Sequence, residues 1–392
     1  MSDVVVVGAA RTPQGKVTGA LSAVPATELG AAAIRGALER GGVPAEAVDA
    51  VVMGQVLQAG AGQAPARQAA VAAGVPWSAH ATTVNKVCLS GLTAVIDATR
   101  MLRAGEAEVA VAGGMESMSQ APHLLRGSRR GWVYGDVVAV DHAAHDGLTD
   151  AYDGESMGLS TDRRRADFPT SREEQDAVAV RSHRRATAAW EEGRFTAEVV
   201  PVTVRSRRGQ TVVDRDEGIR PDTTAETLAG LRPAFDPDGD ITAGNASPLS
   251  DGAAALVLTT RERAEREGWR VLAVVRACGQ VAGPDNALHE QPAAALEQAL
   301  GRQGWAAEDL DLVEVNEAFG AVVAASARRL GLAAEAVNPD GGGIALGHPI
   351  GTSGARLAVH AAHRLAAGDA RRAGVSLCGG GGQGEALLLE AP

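Results

Sequence analysis

The sequence predicts an α/β layered fold of two duplicated halves with an excursion inserted between them. Three observations carry that prediction. Strand-like and helix-like segments alternate along the chain. At an offset of 262 residues, AIRGALERGGVPAEAVDAVVMGQ (Ala33 to Gln55) lies over ALEQALGRQGWAAEDLDLVEVNE (Ala295 to Glu317). Equivalent short strands end in glycines, VAVAGG (Val109 to Gly114) and VSLCGGG (Val375 to Gly381).

Taken in order, the valines of MSDVVVVGAARTP read as a first buried strand, because the segment lacks the basic start of a signal peptide. An amphipathic helix ending in glycine follows, then a turn with Ala45-Glu46 and a buried strand, Val48 to Met53; Ala307-Glu308 and Leu310 to Val315 repeat this in the second half. A strand at Thr82 to Val87 leads to a helix that begins near Ser90. That helix is apolar at Leu92, Val95, Ile96, Thr99 and Leu102 and stops near Gly105. Its counterpart is apolar at Leu357, Ala358, Ala361, Ala362 and Leu365 and stops near Gly368. Val84-Asn85 precedes Ser90-Gly91 as Val337-Asn338 precedes Ser353-Gly354, but the second half adds GGGIALGHPIG between them. The excursion runs from about Ser119 to Thr242, with a helix from Ser171 to about Glu192 and strands around Val199 to Val204 and Gln210 to Val213. It reads as the cover of a cleft.

A chain of 392 residues can bury a large core; with 45% hydrophobic but only 3% aromatic residues, that core must be aliphatic. A formal charge of -11 and an isoelectric point near 5.4 argue against nucleic acid or an anionic membrane surface as partner, since both call for a basic face. No apolar run approaches the ~18 residues of a membrane span. Three widely spaced cysteines, Cys88, Cys278 and Cys378, form no CxxC pair and predict free thiols in a reducing cytoplasm.

Cys88 falls between a strand and a helix N-terminus, where unpaired N–H groups and the helix dipole favour a thiolate nucleophile. A lone cysteine is as readily a small core hydrophobe. Cys378 shifts the balance, because it ends a buried strand opening into CGGGGQG, whose exposed N–H groups suit an oxyanion, and its loop is the pseudo-twofold mate of the Cys88 loop. Of nine histidines, His348 is the one in a glycine-rich loop leading to a helix, within possible reach of a thiol as general base. Cys278 is assigned to the core. His142 and His145 read as a solvated loop pair and not as a metal site. Arg163 to Arg165 and Arg205, Arg207 and Arg208 read as solvated charge runs at the edge of a cleft. GGGIALG lacks the Lys-Ser/Thr ending of a phosphate loop.

These motifs resemble those of the thiolases over essentially the whole chain: NKVCLSGLTA at Cys88, GGMESMSQAPH from Gly113, RPAFDPDGDITAGNAS ending at Ser247, NEAFG at Asn316, GGGIALGHPIGTSGAR at His348 and CGGGGQG at Cys378. The resemblance implies a five-layered αβαβα fold of two halves, each with a mixed sheet. Residues 1–118, completed by 243–268, would form the first half, 119–242 a loop domain over a coenzyme A site, and 269–392 the second half. It implies a reversible Claisen condensation of two acetyl-CoA. Cys88 would carry the acetyl group, His348 exchange its proton and Cys378 take the α-proton. Asn316, through a held water, and His348 would form one oxyanion site, the N–H groups of Cys88 and Gly380 the other. Substrate positions carried over are Leu148, Met157, Arg220 at the adenine end, Phe235, Ala243, Ser247, Ala318 and Phe319. The substrates would be acetyl-CoA or 3-ketoacyl-CoA and CoA, with no separate cofactor and no metal. A homo-oligomer, dimer or tetramer, is implied, the Gln120 to Val140 loop resembling a tetramer-forming segment. Two departures bear on the acyl pocket: Ser156 stands where many members have histidine, and Leu288-His289-Glu290-Gln291-Pro292 replaces Met-Gly-x-Gly-Pro, placing His289 close to that pocket. GQVLQAGAGQAPARQAA (Gly54 to Ala70) leans toward acetyl-CoA-condensing members over long-chain degradative ones. A β-ketoacyl synthase would pair one cysteine with two histidines, so Cys378 counts against it. A non-catalytic acyl-CoA-binding protein would be free to lose the nucleophile.

Overall fold

The computed structural model describes residues 3–207 and 209–392, so Arg208 lies outside the described residues. The first half comprises β1 (Val4–Arg11), the short β2 (Gly15–Lys16), α1 (Ala26–Gly41), β3 (Ala50–Gly54), α2 (Pro65–Ala72), β4 (His80–Val84), α3 (Ser90–Ala104) and β5 (Val109–Ser117). The excursion contributes β6 (His123–Leu125), β7 (Ala139–Asp141), α4 (Met157–Arg163), α5 (Arg172–Glu191), β8 (Val202–Ser206), β9 (Gly209–Val213) and α6 (Ala225–Ala229). Then come β10 (Ser250–Thr260) and α7 (Arg261–Glu267). The last part holds β11 (Ala273–Ala282), α8 (Gln291–Gln303), β12 (Leu312–Val315), α9 (Gly320–Arg329), α10 (Gly343–Leu346), α11 (Ser353–Ala366), β13 (Arg372–Gly379) and β14 (Gln383–Glu390).

The duplication is visible in the strand order. One half runs β4-β3-β5-β10-β1, the other β12-β13-β14-β11, with Val337 bridging Val313 in the place that β4 takes beside β3. Each half is mixed: β3 is parallel to β4 and β5, and β12 to β13, while β10 and β14 run antiparallel to both their neighbours. At the junction, Val4, Val5 and Val6 pair with Val275, Val274 and Ala273, so the halves share one continuous sheet.

Period-two alternation builds the layers. Val4 and Val6 join a central cluster with α3 and α11, while Val5 and Val7 join an outer cluster with α1 and α2. On the other half α8 and α9 cover the outer face. The layers are therefore α1/α2, first sheet, α3/α11, second sheet, α8/α9. A fully buried valine or leucine contributes ~1.5–3 kcal/mol over an exposed one, so a layer buried on both faces is where the stability concentrates. The central helices meet through glycines. A Cβ on Gly354 would lie 2.6 Å from the Cβ of Leu92, and one on Gly91 would lie 3.0 Å from backbone atoms of Gly351, Thr352 and Ala355. That approach brings the two helix N-termini together.

Helix α5 is capped by Ser171, whose side chain accepts the Glu174 N–H in a capping box. Buried ion pairs anchor the excursion to both halves: Arg11 holds Glu198 at 2.6 Å and Asp216 at 2.7 Å, and His360 reaches Glu198 at 2.9 Å and Asp340 at 3.2 Å. Some readings are corrected. Cys278 is half-buried at the rim of the central cluster. His142 is buried, accepting the Ala59 N–H at 3.3 Å, with Asp146 2.8 Å away. Arg163, Arg164 and Arg165 form ion pairs with Glu155, Asp167 and Asp285, and Asp236. Among the described residues no helix is long and apolar enough to cross a membrane.

Candidate active site

The strand expected to run to Val87 stops at Val84, because the chain there enters a tight turn. Val87 takes φ 51°, a left-handed conformation that a β-branched residue adopts at a cost of ~1–3 kcal/mol. Local hydrogen bonds hold it: the Asn85 side-chain oxygen accepts the Val87 N–H at 3.1 Å, Lys86 N–H donates to Ser90 Oγ at 2.8 Å, and that hydroxyl donates to the Val87 carbonyl at 2.6 Å. The turn sets Cys88 just before α3, and the backbone N–H groups of Cys88 and Gly380 both serve its sulfur.

His348 is held from two sides. Its N–H donates to Ser250 Oγ at 3.1 Å, and its Nδ1 lies 2.5 Å from Ser353 Oγ. Ser353 Oγ also lies 3.1 Å from the Pro349 carbonyl, so the hydroxyl bridges the ring and the loop that carries it. Asn316 Nδ2 stands 3.4 Å from Nε2, and its Oδ1 is buried with no partner among the described residues. Burial, then the Arg356 charge, pulls the His348 pKa down to about 4, so the imidazole is neutral at pH 7.

Cys378 is the last but one residue of β13, and the glycines after it let the opposite half approach. A Cβ on Gly379 would lie 2.6 Å from Leu89, and one on Gly380 3.4 Å from Val87. Burial raises the Cys378 thiol pKa, with the neighbouring Cys88 adding to it. Burial likewise pushes Cys88 up to about 12, against its two N–H donors, with Glu116 adding a further rise. This runs against the sequence reading of a thiolate favoured by the helix: burial outweighs the two N–H donors and holds the thiol protonated.

One cavity of about 550 Å³ collects Cys88, His348, Cys378 and Gly380 in its wall. Leu148, Met157, Phe235, Ala243, Ser247, Ala318 and Phe319 line it too. Asn316 lies behind His348, outside that wall. Arg220 does not line it: it is exposed, its N–H donating to His183 Nδ1 at 3.1 Å. A neutral nucleophile, a neutral base and a second thiol around an apolar chamber suit acyl transfer through a thioester.

The thiolase N-terminal domain family matches residues 4–262, and the thiolase C-terminal domain family matches residues 269–391. The chain belongs to the thiolase family. This thiolase is 54% identical to the probable acetyl-CoA acetyltransferase of Mycolicibacterium smegmatis over 385 residues, covering 98% of this chain and 99% of the relative. It is 53% identical to that of Mycobacterium tuberculosis over 392 residues, covering all of both chains. To the acetyl-CoA acetyltransferase of Cupriavidus necator it is 46% identical over 391 residues, again covering all of both.

In this thiolase both departures can be placed. Ser156 lines the cavity while its hydroxyl caps α4, accepting the Leu159 N–H at 3.3 Å. Leu288 lines the cavity, but His289 does not, correcting the expectation: its ring stacks on Phe168 at 4.7 Å, away from the chamber, and burial lowers its pKa to about 4. Sequence reasoning missed two supports. Ser353 was noted only as part of a repeat, though a hydroxyl five residues after a loop histidine was the available signal. Glu116, a carboxylate inside an apolar strand, accepts the N–H groups of Val56, Leu57 and Gly351 at 3.0, 3.1 and 2.9 Å, splinting the His348 loop.

Proposed function

We propose that this thiolase is an acetyl-CoA C-acetyltransferase that joins two acetyl-CoA into acetoacetyl-CoA and CoA, and runs the reverse thiolysis. The observation that carries the reading is that Cys88, His348, Cys378 and the Gly380 N–H meet in one cavity. In the first half-reaction Cys88 Sγ bonds to the acetyl carbon while its proton passes to His348 Nε2. The carbon–sulfur bond to CoA breaks, and the CoA sulfur takes the proton from His348. In the second, the Cys378 thiol gives its proton to His348, the resulting thiolate removes the α-proton of another acetyl-CoA, the carbanion attacks acetyl-Cys88, and the Cys88 sulfur leaves as the new carbon–carbon bond forms and takes the proton held by His348. Asn316 with His348, and the N–H groups of Cys88 and Gly380, serve as the two oxyanion sites; each well-placed donor is worth ~3 kcal/mol. Because the resting thiol and imidazole are both neutral, proton transfer accompanies attack and no preformed ion pair is needed.

Residues 119–242 cover the coenzyme A arm, with Leu148, Met157 and Phe235 along it and Arg220 toward its nucleotide end. No further cofactor or metal takes part in this reading. We place the enzyme in the cytoplasm as a homo-oligomer, for which Trp132, Val133, Tyr134 and Val138, exposed in the β6–β7 loop, offer an apolar contact. A longer or branched 3-ketoacyl-CoA is favoured by one observation: the wall carries the small Ser156 and the aliphatic Leu288.

Mass spectrometry after mixing with acetyl-CoA tests the reaction. Wild type and Cys378→Ala gain one acetyl group on Cys88, and Cys378→Ala fails to condense; an unacetylated Cys378→Ala protein overturns the division of roles, and an unacetylated wild type indicates a binding protein. Thiolysis of acetoacetyl-CoA should outpace that of longer 3-ketoacyl-CoAs, and equal or faster long-chain turnover reverses the chain-length assignment. Leu288→Ala should shift that ratio toward longer chains, whereas His289→Ala leaves it unchanged.

A further inference from the structure

The turn bearing Cys88 is strained at Val87, so restraints from outside must fix where the sulfur stands. They come from the other half. Residues on both sides of Cys88 touch the segment that carries Cys378: Val87 packs on Gly380, Leu89 on Gly379, and Lys86 forms an ion pair with Glu385 at 2.6 Å. Glu385 lies on β14, hydrogen-bonded across from Leu377 on β13, one position from Cys378. Its fully buried carboxylate also accepts the Thr93 hydroxyl of α3 at 2.9 Å and the Gln280 side-chain N–H of β11 at 2.6 Å. Gln280 in turn accepts from Arg100 of α3 at 2.5 Å. One carboxylate thus gathers the Cys88 turn, the helix after it and two strands of the opposite half.

We propose that Glu385, acting through Lys86, is a positioning residue that sets the separation of Cys88 from Cys378. The inference rests on the two-thiol reading of the site. Acetylation of Cys88 needs His348, whose orientation comes from Ser353, Ser250 and Asn316 independently of Glu385. Condensation needs in addition that the carbanion made at Cys378 reach the acetyl carbon on Cys88. A small displacement of the Cys88 turn therefore penalises the second half-reaction more than the first.

The test separates the half-reactions in Lys86→Met and Glu385→Gln, with Lys86→Arg as the conservative variant. Acetyl transfer to Cys88 is read in a single turnover by mass spectrometry, and condensation in the steady state with acetyl-CoA. The expected result is a loss of roughly 10- to 100-fold in condensation kcat with KM nearly unchanged, acetyl transfer falling far less, and Lys86→Arg restoring most of the loss. Equal losses in both half-reactions, or none in either, overturn the proposal. Glu385→Gln keeps the side-chain shape and one acceptor oxygen, so it carries the test if Lys86→Met does not fold. A wild type that never acetylates Cys88 refutes the functional reading instead.

Discussion

At the residue scale the chemistry turns on how the His348 ring is held. Ser353 holds it, its hydroxyl standing 2.5 Å from Nδ1 and 3.1 Å from the Pro349 carbonyl. Ser353→Ala should lower kcat by roughly 10- to 100-fold, a part of what a general base contributes, with the thermal midpoint nearly unchanged. The pH profile has a definite sign. With the His348 pKa drawn down to about 4, the free imidazole stays unprotonated through the neutral range and is lost as base only as the pH falls through about 4. His348 and Cys378 were legible in the sequence because glycines crowd both, and glycines mark where backbone must come close to something; Cys88 was legible from its place between a strand and a helix start. The protonation state of Cys88 was not legible. Its helix end is local, whereas the burial that raises its pKa arises only when the chain is folded.

At the scale of elements, the site exists because α3 and α11 touch end to end. Gly91 and Gly354 occupy the same place in the repeat, and each lets the other helix's first turn approach without a side chain between. Gly354→Ala should cost ~1–3 kcal/mol through overpacking against Leu92, read as a lower urea midpoint at unchanged slope, with Cys88 acetylation slowed as well. The helices and their glycine stops followed from periodicity: α3 begins at Ser90 and its cap, Gly105, sits at φ 74°. The early end of β4 did not follow. Val84 and Val87 both read as strand residues, and the hydrogen bonds of Asn85 and Ser90 turn the chain aside between them.

At the scale of the whole molecule, the excursion is bound to both halves by buried charge. Burial alone would lower the His360 pKa, but the carboxylates of Glu198 and Asp340 outweigh it and raise it to about 10. Glu314 supports the same rise, and the Phe195 ring closes the site at 5.6 Å. A histidine raised in the folded state from 6.5 stabilises fully below about pH 6.5 and loses that contribution as pH rises through about 10. Stability measured by equilibrium unfolding should therefore fall from pH 6.5 to 10, and His360→Gln should flatten that slope while lowering stability at neutral pH. The duplication was plain in the sequence, since one stretch repeats 262 residues on and the segments after it recur in the same order. The junction was not, because three residue pairs between β1 and β11 leave no period to detect. That seam has a consequence for how the chain is made. β1, synthesised first, needs both β10 and β11 as neighbours, and both are synthesised after the excursion. The opening strand must wait, half-dressed, for more than two hundred residues to emerge before it finds either edge partner.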